Sequence, residues 1–156
     1  MKKGLFVLTA MFLIGIQMSG CKEKPKGPVF DPSKVVLNLQ GGFVDVVEPK
    51  TSKITGEIHA AGWAYDPQQK VPSKTVVIVT EGKPLPILPK MEVERKDVAQ
   101  VLNTEASVKW GWDTTFKADF LGKGKHRLEF YALLENGTFV PLMIDGQKFC
   151  DIEILD

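Results

Sequence analysis

From Gly42 to the C-terminus the chain alternates short apolar-rich runs with turn signals, and within the runs the apolar positions keep a period of two. "FVDVV" (43–47) gives way to "EPKTSK", "ITGEIHAAGWAY" (54–65) to "DPQQKVPSK", and "TVVIVT" (75–80) to "EGKP". "HRLEFYALL" and "TFVPLMI" flank "ENG", and "KFCDIEIL" closes the sequence. Such runs, broken by Gly, Pro and Asn and without a long 3.6-period segment, predict an all-β sandwich or barrel. Thr75–Thr80 is apolar on both faces, which suits a central strand. Leu128, Phe130, Ala132 and Leu134 share one face while Arg127, Glu129 and Tyr131 take the other, which suits a strand wet on one side.

The longest alternation is "SVKWGWDTTFKADF". Val108, Trp110, Trp112, Phe116, Ala118 and Phe120 fall on one parity, and Lys109, Asp113, Lys117 and Asp119 on the other. Fourteen residues is long for one strand, so a bend or bulge is expected near Gly111. The same parity rule puts Cys150, Ile152 and Ile154 on one face of the last strand, making Cys150 a buried small hydrophobe. One helical turn or two is expected over "RKDVAQVLN", near 97–102, with Asp97 as cap and Gln100 at the capping-box position.

In "HAAGWAYD" both faces turn apolar after Ala60. Either the strand becomes covered on both sides there, or a bulge at Ala61–Gly62 swings Trp63 inward. Trp63 is thereby read as core, the ordinary way a sandwich fills its centre, with an exposed sugar-stacking ring as the alternative, and Tyr65 as the more exposed ring.

The first 40 residues read differently. "MKKGLFVLTAMFLIGIQMSGC" has two lysines, then an uncharged apolar run from Gly4 to Met18 that is short for a membrane span of about 20 residues. It has the form of a secretory signal. "MSGC" resembles a bacterial lipobox, which implies cleavage before Cys21 and a diacylglyceryl group on its thiol. Met18 stands where lipoboxes usually carry Leu, and an ordinary signal peptide leaving a free Cys21 is the alternative. Residues 1–20 are thus assigned to the signal. Residues 21–40, opening "CKEKPKGPVFDPSK", are assigned to a lipidated cysteine and Pro/Lys-rich tether, whose proline-rich part gives roughly 35 Å of stand-off. The domain is assigned to 41–156. Lys22 after the cysteine, rather than Asp, implies by the same resemblance an outer-membrane destination where a cell has two membranes.

Charge and chemistry narrow the functions. With 20 basic and 19 acidic residues the chain is near neutral, without the clustered basic face that nucleic-acid binding requires. With Cys21 acylated, Cys150 has no disulfide partner. His59 and His126 lack partners at metal or triad spacing, and His126 is expected solvated after "GKGK". "LGKGK" lacks the spacing of a phosphate loop, and no cofactor motif is present. Asp66, Asp113 and Asp145 fall at turns, but without the alternating oxygen ligands of a calcium loop.

"GGFVDVV", "GWAYD", "VVIVTEG", "RKDV", "WGWDTTF" and "LGKGKHRLEFYALLENG" follow one another in an order that resembles a β-sandwich module of bacterial envelope proteins, also appended to some glycosyltransferases. Gly62, Trp63, Ala64 and Asp66 match its Gly-Trp-Ala-x-Asp strand end, and Arg95, Asp97 and Val98 its Arg-x-Asp-Val segment. Gly111 and Trp112 match its Gly-Phe strand with Trp for Phe. The resemblance implies an immunoglobulin-like sandwich in an accessory role, without catalytic residues. The reading that results is a lipid-anchored, non-catalytic envelope module binding glycan or protein. Its candidate anchors are Tyr65, Arg127 and Tyr131, the residue types that dominate binding patches. An assembly lipoprotein acting only through protein contacts is the first rival. A hydrolase, needing two facing carboxylates about 5–9.5 Å apart, is the second.

Overall fold

A computed structural model describes residues 29–156; the signal segment, Cys21 and the tether up to Pro28 lie outside the described residues. Among the described residues, eleven strands form two sheets. The first contains β1 (Gly42–Glu48), β3 (Glu57–Asp66), β8 (Gly111–Lys117) and β7 (Lys90–Val93) in that order, with the short β4 (Val71–Pro72) also on β3. The second runs β2 (Thr51–Lys53), β11 (Phe149–Leu155), β9 (Gly124–Leu133), β5 (Thr75–Thr80), β6 (Lys83–Pro84), with β10 (Phe139–Pro141) also on β9. Every pairing is antiparallel except β2 with β11.

The two sheets face each other across one core. Ile58, Trp112 and Phe116 from the first meet Ile78, Leu128 and Phe130 from the second, all at most 4% exposed. Trp112 stacks on Phe130 with centroids 5.8 Å apart, so the ring layer spans the sandwich. The period-two reading of β9 and β11 holds: Leu128, Phe130 and Ala132 point inward, as do Cys150, Ile152 and Ile154. Burial also pushes the Cys150 thiol above its ordinary pKa, the behaviour of an inert packing cysteine.

The long alternation breaks at Gly111. Strand β8 begins there and is seven residues long. Trp112 and Phe116 enter the central core, whereas Trp110 and Val108 join a separate cluster with Val98, Ala99, Trp63 and Tyr65. Phe120, in a 3₁₀ turn after the strand, is 49% exposed. The two tryptophans therefore serve two different packing layers, although parity alone puts them on one face.

Strand β3 alternates without interruption, so Trp63 is not swung inward. The bulge falls on the neighbouring β1, between Val44 and Val46 opposite Gly62 and Ala61. Gly62 is needed for that approach: a Cβ there would collide with the Phe43 carbonyl. Trp63 stays on the outer face, half-buried, and is not part of the central core.

Residues upstream of Gly41 also pack on the sandwich. Phe30 packs on Tyr131 and Phe139, with centroids 5.1 and 5.0 Å away, on the outer face of the second sheet. Asp31 caps a 3₁₀ turn at Pro32–Lys34, Val35 bridges Phe139, and the Val36 amide donates to the Phe139 carbonyl at 2.9 Å. This covering explains why β5 is apolar on both faces. Val76 and Ile78 face the core, and Val77 and Val79 lie under the N-terminal strap, all fully buried.

Candidate functional site

On the outer face of the first sheet one row crosses four strands: Phe43 on β1 pairs with Trp63 on β3, Trp63 with Gly111 on β8, and Gly111 with Val93 on β7. Directly opposed side chains in a sheet touch. Phe43 and Trp63 centroids lie 5.4 Å apart, and Trp63 and Tyr65 5.5 Å apart, with interplanar angles of 37° and 35°. Phe43 is 40% exposed and Val93 39%. The three rings form a continuous aromatic ribbon, half-sunk in the surface and open at its Phe43 end.

The ribbon is held from the side. Helix α1 (Lys96–Leu102) puts Val98 and Ala99 beside Trp110 in the cluster that contains Trp63 and Tyr65. The helix appears where the sequence predicts it, but Asp97 is not its cap: Arg95 occupies that position and no side chain closes the first turn. The Asp97 carboxylate instead accepts from Arg95 Nε and Nη2 at 2.9 and 2.6 Å, while Arg95 Nη1 donates to Asp45 at 2.5 Å. That fork holds Asp97 at a pKa of about 2 and raises that of Arg95.

Gly111 makes the arrangement possible. A Cβ there would lie 2.8 Å from Val93 Cβ and 3.0 Å from Arg95 Cγ, so the arginine stem crosses the sheet where β8 has no side chain. Asp66, at the end of β3, is 5% exposed and accepts from the amides of Gln68 and Gln69, closing the turn beside Tyr65. Segments separated by up to 68 residues in sequence, Phe43 and Gly111, thus converge on one face.

The three anchors read from the sequence are not brought together. Tyr65 belongs to this ribbon and is half-buried. Arg127 lies on the outer face of the other sheet, with its guanidinium 3.9 Å over the Phe149 ring and Nε donating to Asp151 at 3.3 Å. Tyr131 shares that face but is only 9% exposed. Phe30 covers it, its hydroxyl donates to Glu129 at 3.3 Å, and burial together with the Glu129 charge pushes its pKa to about 12. Parity correctly turned Tyr131 away from the core; what it cannot register is a segment a hundred residues upstream lying on top. Phe43 and Val93, conversely, escape sequence reading because their importance comes from cross-strand register. The available signal was glycine at 62 and 111, marking close approach.

The remaining chemistry is dispersed. His59 Nε2 contacts Asp113 at 2.8 Å on the first sheet's outer face, and His126 donates to the Gly122 carbonyl at 3.0 Å, half-buried rather than solvated. An open depression of about 620 Å³ on the second sheet is lined by Lys50, Lys125, Arg127, Asp151 and Glu153, among others. Its two carboxylates, Asp151 and Glu153, lie among three cations. Among the described residues, no three His, Cys, Asp or Glu side chains gather as a metal site needs. Nor is any described helix long and apolar enough to cross a membrane. Compared with known proteins, the chain matches no family model, and no curated protein is similar to it.

Proposed function

We propose that the chain is a lipid-anchored, non-catalytic accessory module of the cell envelope. Its sandwich is of the immunoglobulin-like Gly-Trp-Ala-x-Asp type, and it binds envelope glycan or protein through the outer face of its first sheet. The observation that supports this reading is the Phe43–Trp63–Tyr65 ribbon, with its fixed polar edge of Arg95, Asp45 and Asp97. Half-buried rings locked by neighbours lose little freedom on binding, and an apolar strip beside a few convergent polar groups suits ligand recognition. The Gly-Trp-Ala-x-Asp, Arg-x-Asp-Val and Gly-Trp segments all contribute to this face, giving the family resemblance a common physical purpose.

Cys21→Ser should release the chain from membranes while leaving its unfolding transition unchanged. A serine variant that still sediments with membranes after a high-salt wash refutes the anchor. Binding is tested by retention of the purified protein on isolated cell-wall glycan, and by photocrosslinking to envelope proteins. Trp63→Ala or Phe43→Ala should reduce one of these by about 30-fold, the range of a central aromatic anchor. If both variants fold and bind like wild type, the ribbon is not the site. The assembly role with protein contacts alone is favoured by Val93 and Val101, which are 39% and 81% exposed. It predicts crosslinks without glycan retention.

A further inference from the structure

The N-terminal strap decides which side of the domain faces its anchor. Phe30 fills a site on the second sheet made by Val77, Val79, Tyr131 and Phe139. From there the chain follows β10, with the Gly41 amide donating to the Pro141 carbonyl at 3.0 Å and Lys148 Nζ to the Leu37 carbonyl at 2.9 Å. Attachment therefore enters on the face opposite the aromatic ribbon. Val29, just before the docked ring, is 86% exposed.

We infer that docking of Phe30 sets both the reach and the orientation of the module. It holds the second sheet toward the bilayer and presents the first sheet, with its ribbon, to partners lying beyond. The inference rests on acylation of Cys21.

Chain length carries the argument. Nine Cα steps separate Cys21 from Phe30 and, however they are arranged, span at most about 32 Å. A domain of this size has a radius of gyration of about 14 Å, so turning the first sheet downward would use most of that length. A chain stretched to its limit has lost its conformational freedom, so the reverse pose is disfavoured. With the strap released, the free segment extends to Gly41, and twenty steps span up to about 72 Å. The strap thus more than halves the reach and removes the freedom to turn over.

The experiment uses the full chain, purified from membranes in detergent and reconstituted into vesicles containing acceptor-labelled lipid. A donor dye is placed at Thr115→Cys on the first sheet or Lys125→Cys on the second, both exposed positions. Cys150 is 8% exposed and remains unlabelled. With the sheets about 10 Å apart, transfer to the bilayer should be at least about twofold higher from Lys125→Cys than from Thr115→Cys. Phe30→Asp, which expels the ring, should lower both signals and remove the difference; Phe30→Leu, which keeps an apolar plug, should retain it. Amide exchange at Val36 verifies release in the Asp variant, and its thermal transition verifies that the sandwich stays folded.

Equal transfer from both wild-type positions overturns the orientation. Unchanged transfer in Phe30→Asp, with Val36 deprotected, overturns the role of the strap. A wild-type chain that fails to float with vesicles overturns the anchor, and this inference with it, while leaving ribbon binding by the purified protein intact.

Discussion

Replacing Trp112 with alanine tests the sandwich at its centre. The ring is 1% exposed and lies between the sheets, stacked on Phe130 with centroids 5.8 Å and an interplanar angle of 26°. A buried tryptophan covers about 150–250 Å², most of which alanine leaves unfilled. At about 25 cal/mol per Å², losing some 150–200 Å² costs about 4–5 kcal/mol, which agrees with the 3–5 kcal/mol typical of core aromatic truncations. Among the described residues the indole Nε1 has no hydrogen-bond partner, so the cost is counted as one of packing. Domains are stable by about 5–15 kcal/mol, so the variant should fold with a much lower denaturation midpoint and an unchanged m-value. Lys109→Ala, at an exposed position, should stay within about 0.5 kcal/mol of wild type. Trp110→Ala separates burial from centrality. That ring is also 1% exposed but sits in the outer cluster, so its loss should destabilise comparably and also disturb the ribbon, whereas Trp112→Ala should leave the ribbon's geometry alone. Urea unfolding followed by far-UV circular dichroism gives the comparison. A Trp112→Ala cost below about 1.5 kcal/mol would contradict two sheets closing over this ring.

Asp97 should titrate near 2 by carboxyl NMR, and Arg95→Ala should return it toward the ordinary aspartate value of about 3.9. Because its folded pKa is depressed, the stabilisation from the pair is complete above about pH 4 and is lost as the pH falls through about 2. Gly111→Ala should displace the Arg95 stem and produce the same titration change without touching either charged group; an unaltered Asp97 titration would refute that. Tyr131 should ionise near 12 in a spectrophotometric titration, so its contribution to stability is full below about 10, the ordinary tyrosine value, and disappears as the pH rises through about 12. Phe30→Ala should shift that ionisation back toward 10. The Cys150 thiol should resist a thiol reagent in the folded protein and react on unfolding. Folded Cys150→Ala or His59→Ala protein should keep its function, and complete loss in either would revive the enzyme reading.

The alternation of apolar and polar positions was enough to establish the longer strands and the all-β class, the inward faces of β9 and β11, and the burial of Cys150, but it left sandwich and barrel open and missed the short edge strands β2, β4, β6 and β7. What it established depends on a period of two within a single strand, which is a local property of the chain. The helix was also legible over its seven residues, although its cap was not. Asp97 had a closer and stronger partner in Arg95 than in the helix amides.

What tertiary structure decided is which outward face meets water. Trp63 and Trp110 point away from the core yet are held in a second apolar layer, because helix α1 returns over the first sheet. Tyr131 points outward yet is sealed, because Phe30 folds back from far upstream. Phe43 becomes the open end of a ribbon only through its pairing with Trp63. Each outcome depends on contacts between distant segments, to which the parity of one strand is indifferent. The sequence therefore determined the layers, and long-range docking determined which of their outer surfaces remained available for binding.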